Sequence, residues 1–180
     1  FVLDNRALAL LIVAGCGFLL AGLHETWHWL GARAAGVDSR FGVDRRLLFL
    51  VFETDLSQLW TLPRHRRYGP QLAGLAIDSV VLAALLGVQL AAGTGWLSLP
   101  NGMVALAAAL VLVQALNMSW QCMIFLRTDL YGVLVTATRC QNLWEVTALL
   151  HRQAFGRLTP SQRTELERAH PRDLRVGRWF

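Results

Sequence analysis

The stretch RALALLIVAGCGFLLAGLHETWH, residues 6–28, carries no charge from Ala7 to Leu23 and then presents His24, Glu25 and His28 in quick succession. A helix needs roughly 20 apolar residues to cross the hydrocarbon core of a bilayer. This run is long enough, and it continues into its polar cluster without a turn signal. No small-residue cleavage pattern follows Leu23, so a removable signal peptide does not explain it. Residues four apart on a helix share one face, so His24 and His28 point the same way with Glu25 beside them.

Two further blocks behave alike. Residues 71–92 contain one charge, Asp78, and residues 103–126 contain none. The composition is 54% apolar and blocked rather than rhythmic, which predicts three spans near 7–28, 71–92 and 103–126. The net charge of +5 points to topology, not to nucleic acid. All 17 basic residues are arginine, and Arg33, Arg40, Arg45, Arg46, Arg64, Arg66 and Arg67 fall between the first two spans. None falls in 93–102. By the positive-inside rule the first helix ends in the cytoplasm, the second returns outward and the third comes back. Cys16, Cys122 and Cys140 lack metal or disulfide spacing and read as small packing residues.

Between the first two spans, the runs 39–43 and 47–52 predict a small β-hairpin at the membrane surface, its apolar strand suited to pairing with an extended peptide. Gly36 is the expected stop of the first helix, and Pro63 and Pro70 the approach to the second. The third span is expected to run to Leu126, followed by a weakly apolar stretch to Cys140. A helix over 141–155 and a charged helix opening at Thr159-Pro160-Ser161, running through Ala169 and ended by Pro171, complete the reading. This divides the chain into a membrane core, 1–140, and a cytoplasmic helical segment, 141–180. The first residue is Phe1, so the chain reads as an excerpt, and Arg178-Trp179-Phe180 reads as the start of a further span.

H-E-x-x-H on a helix is the signature of a zinc peptidase, with the histidines as ligands and the glutamate as general base. Ionisable residues inside a span cost roughly 2.5–3.5 kcal/mol each on insertion scales, and a divalent cation compensates them. A third ligand should lie at the same depth. Asp129 follows the third span on the side where the first one ends. Asp78, about 12 Å beyond Pro70 along the second helix, matches the same depth and could ligate, support a histidine from behind or touch substrate. Asn117 is a weaker candidate for contacting a peptide, with interhelical hydrogen bonding as its alternative.

With these residues quoted, the chain resembles the site-2-protease (M50) family of membrane zinc metallopeptidases, and most closely its bacterial peptide zinc metalloprotease branch. The resemblance rests on His24-Glu25-Thr26-Trp27-His28, on Phe52-Glu53-Thr54-Asp55-Leu56 followed by Trp60 and Leu62-Pro63-Arg64, and on Leu126-Arg127-Thr128-Asp129-Leu130-Tyr131. It implies a mainly α, multi-pass protein of the bacterial cell membrane. It also implies one zinc ion per chain on His24, His28 and Asp129, Glu25 as catalytic acid/base, and a peptide or membrane-protein substrate cut at the cytoplasmic boundary. The family's glycine after the ligand aspartate is Leu130 here, its N-x-x-P run is missing, and its A-G-P-x-x-N appears as Ala73-Gly74-Leu75-Ala76-Ile77-Asp78. Two other readings stand beside it. One is a non-peptidase component of peptide maturation or export that keeps a structural metal. The other is a transporter core, weakened by the absence of an inverted repeat.

Overall fold

Asn5 opens the first helix, its side chain accepting from the amides of Ala7 and Leu8. The computed structural model describes residues 5–46 and 49–180. The fold is mainly helical, and α1 (Arg6–Ala34), α2 (Arg64–Gly93) and α3 (Asn101–Gln121) are long and apolar enough to cross a membrane. Gly36, at φ 83°, reverses the chain after α1, while the Val37 amide bonds back to the Ala32 carbonyl.

The expected hairpin forms. Strand β1 (Arg40–Arg46) pairs antiparallel with β2 (Phe49–Asp55), with Phe41 opposite Thr54 and Val43 opposite Phe52. The second strand therefore extends to Asp55, beyond the run 47–52, of which Leu47 and Leu48 lie outside the described residues. Thr54 and Asp55 belong to the ladder because strand pairing needs backbone donors and acceptors, not apolar side chains. The hairpin is fastened to α1. Phe52 packs between Phe18 and Phe41, with ring centroids 4.5 and 5.7 Å away. The Thr54 hydroxyl donates to the Glu25 carbonyl at 2.8 Å. Gly22 permits this approach, since a Cβ there would stand 3.0 Å from the Phe52 ring.

Helix α2 begins at Arg64, earlier than the expected span at 71, so Pro63 precedes it and Pro70 lies in its interior rather than its first turn. The polar turn Arg64-His65-Arg66-Arg67 is helical although it is not apolar, which hydropathy cannot register. Helices α1 and α2 meet through small residues, as helices in apolar surroundings do. A Cβ on Gly31 would lie 3.1 Å from that of Ala73 and 3.2 Å from the Pro70 Cα. Helix α3 reaches back to α2 through the buried Gln114, whose amide donates to the Asp78 carbonyl at 3.5 Å.

Helix α3 stops at Gln121, short of Leu126. Its last turn tightens through i→i+3 bonds at Cys122 and Met123, a 3₁₀ turn covers Ile124–Leu126, and Arg127 sits at φ 58°. An uncharged run reports hydropathy, not helix length. The chain divides here into two compact units, Phe1–Met123 and Ile124–Phe180.

In the second unit the stretch after Asp129 is a helix, α4 (Asp129–Thr138), closed by Arg139 at φ 59°. It is followed by α5 (Leu143–Ala154), α6 (Pro160–Arg168) and α7 (Pro171–Gly177). Thr159 and Gln162 form a capping box on α6. Pro171 follows shortly after Ala169, which caps α6 close to the end expected for it. It opens α7, because proline's missing amide is harmless in a first turn. Val135, Cys140 and Leu143 form one apolar cluster, and Val146, Leu149 and Leu166 another. Burial raises the Cys140 thiol pKa, so this cysteine is an inert packing group.

Asp173, 1% exposed, ties this unit together by accepting the Gln141 and Asn142 amides at 2.9 and 3.1 Å. Asp173→Ala removes both charge-assisted bonds from these part-buried contacts. It is expected to destabilise the C-terminal unit by about 2–4 kcal/mol. Limited proteolysis should then cut within 140–180 faster than in the parent. An unchanged cleavage rate would show that the carboxylate is not the clasp described here.

Candidate metal centre

His24 and His28 stand one turn apart on α1, and their Nε2 atoms converge to 3.1 Å. Each ring is held from behind. His24 Nδ1 lies 2.7 Å from Asp78 Oδ2 on α2, and His28 Nδ1 lies 2.7 Å from the Pro70 carbonyl oxygen. His28 is 1% exposed and Asp78 5%. A carbonyl only accepts, so His28 Nδ1 carries the proton and its Nε2 presents a lone pair. Donation from His24 Nδ1 to Asp78 Oδ2 leaves the same lone pair on His24 Nε2. Two imidazole lone pairs facing each other at 3.1 Å repel unless a cation or a proton lies between them.

That arrangement is the one metal-binding histidines use, in which an outer partner fixes the ring and the far nitrogen ligates. Gly74 keeps the space beside the nitrogens open. A Cβ there would fall 2.4 Å from His28 Nε2 and 2.5 Å from His24 Nε2. The residues present fit a metal, since imidazole suits several divalent transition metals and no alkyl group intrudes. Asp129, the expected third ligand, offers a carboxylate, a donor suited to the same metals. Asp129 is the first residue of α4, in the second unit.

Glu25 lines a cavity of about 280 Å³ with His24, Asp78, Phe52, Asn117 and Trp120. The helix period places Glu25 off the histidine face but next to it, and β2 walls the cavity through Phe52. Asn117 shares this cavity from α3, within the unit that holds both histidines.

The structure thus brings His24, Glu25, His28, Asp78 and Asn117 together in one unit. It also adds three participants that motif reading misses. The Pro70 carbonyl is a backbone group and leaves no side-chain signal. Gly74 acts through the atom it lacks. Gln114 looks like any polar residue in a span until its contact with the Asp78 carbonyl is seen. No protein-family model, curated protein or solved structure matches this chain.

Proposed function

We propose that the chain is the catalytic core of a membrane-embedded zinc peptidase acting on a membrane-associated or exported peptide. His24, His28 and Asp129 would hold the metal, and bound zinc would supply a Lewis acid that acidifies water and polarises a carbonyl. The observation that carries this reading is the pair of histidines locked at Nδ1 with both Nε2 atoms converging, beside a glutamate that lines a cavity. Glu25 takes a proton from the attacking water and returns it to the leaving amine. Phe52 and Trp120 offer apolar contact to a substrate side chain in the cavity. Residues of β2, fastened beside Glu25, offer backbone groups to an extended peptide.

Asp78 favours the supporting role. Its carboxylate engages His24 Nδ1, the ring nitrogen remote from the convergence point. Asp129 is supported as third ligand by the family-like segment around it and by its donor chemistry. Zinc content of the purified chain tests the assignment. His24→Ala and His28→Ala should each lose the metal, and Asp129→Ala should bind it more weakly than Asp78→Ala. Loss of an outer partner costs only about 10- to 100-fold in affinity or activity. Equal zinc in the parent and both histidine variants would end the metal reading. Loss in Asp78→Ala with retention in Asp129→Ala would transfer the third ligand to Asp78.

A further inference from the structure

On another face of the α1–α2 pair lies an open groove of about 890 Å³. Trp27, Gly31 and Ala34 form one wall, and Gly69, Ala73 and Ala76 the other. His65 and Arg66 line its mouth, where α2 begins. The neighbouring arginines are engaged elsewhere. Arg33 pairs with Asp38 at 2.6 Å, Arg64 donates to the Tyr68 hydroxyl, and Arg67 donates to the carbonyls of Leu62 and Trp60. Among the described residues neither His65 nor Arg66 has an acidic partner within ion-pair distance.

We infer that this groove, apolar along its walls and basic at its mouth, binds an anionic phospholipid, its headgroup at Arg66 and His65 and an acyl chain along Ala73 and Ala76. The inference rests on the proposed membrane location. Charge and length both favour a lipid over a second protein helix. The mouth is positive, which suits a phosphate; basic pockets between membrane helices hold anionic headgroups on the cytoplasmic side. From His65 to Ala76 the groove runs about 16 Å at 1.5 Å per residue, about one leaflet of a ~30 Å hydrocarbon core. A helix from another chain would follow the seam across both leaflets. Trp27, 38% exposed, borders the groove as aromatic side chains do near the headgroup level.

The site would bear on the histidines without touching them. Pro70 lines the groove, packs against Gly31 and presents its carbonyl to His28 Nδ1. A lipid seated there fills the outer side of the seam that holds His28 in place.

The full chain is reconstituted in nanodiscs of phosphatidylcholine, alone or mixed with phosphatidylglycerol, and the lipid that survives detergent re-extraction is identified. Phosphatidylglycerol is expected above its bulk share, and Arg66→Gln should reduce that enrichment about fivefold, the worth of one basic residue at an anionic surface. Ala76→Phe, which fills the groove from an exposed position, should reduce retention of both lipids. Both variants should keep the parent's zinc content, which separates this site from the metal centre. No enrichment in the parent, or unchanged enrichment in Arg66→Gln, overturns the assignment. Efficient disulfide formation between chains carrying Ala34→Cys also overturns it, by giving the groove to a second copy. A chain that stays monodisperse without detergent removes the membrane reading, and the lipid site with it.

Discussion

Glu25→Gln should retain its zinc and lose turnover of a verified peptide substrate by about 100- to 10,000-fold, the usual contribution of a positioned general base. Glutamine keeps the shape and hydrogen-bonding reach of glutamate but cannot accept the proton. The Glu25 carbonyl stays bound to the Thr54 hydroxyl whatever the side chain is, so α1 and the hairpin keep their register. Both imidazoles keep their outer partners, Asp78 and the Pro70 carbonyl. A drop in rate at constant metal content is therefore a chemical effect rather than a folding one. A variant that cleaves at the parent rate takes the base role away from Glu25. A parent that binds zinc and cleaves none of the peptides it binds favours the maturation-component reading.

Gly74→Ala should weaken zinc binding by roughly 10- to 100-fold, the equivalent of about 1–3 kcal/mol of overpacking. The added methyl would sit 2.4–2.5 Å from both Nε2 atoms. An imidazole usually escapes such a clash by rotating, but rotation here breaks the bond to Asp78 or to Pro70. Gly87→Ala provides the comparison on the same helix, because a Cβ there meets nothing within 4 Å. That change should leave zinc untouched and help the helix slightly, since alanine is the better helix former. Zinc titration of the two variants in one detergent decides it. Parent-like affinity in Gly74→Ala would mean that the histidines bind nothing on that side.

How much of this was legible in the sequence depends on the kind of force involved. Uncharged runs locate α1, α2 and α3 because hydropathy accumulates along a chain. They misplace the ends at Arg64 and Gln121, where backbone bonding continues through polar residues or stops within apolar ones. The His24–His28 pair is visible because helix geometry is local. Counting along α2 brings Asp78 to the right depth, but the nitrogen it meets is settled only by helix rotation. The two prolines behave differently. Pro70 misleads, since it sits inside a helix that tolerates it, whereas Pro171 follows the end of α6 as expected and also begins α7. The Pro70 carbonyl could not be foreseen, because backbone acceptors carry no residue signature.

Helix α1 also sets a scale. It spans 29 residues, about 43 Å at 1.5 Å per residue, with Arg6 at one end and Arg33 near the other. A bilayer with its headgroup regions measures about 40–45 Å, so an upright α1 places one guanidinium at each surface. In the proposed membrane location His24 lies about 13 Å inward from Arg33 along the helix. In a thinner bilayer α1 tilts and the histidines shift toward the surface; a thicker one pulls them deeper. In that location the helix would act as a ruler, and bilayer thickness would govern how readily water reaches Glu25.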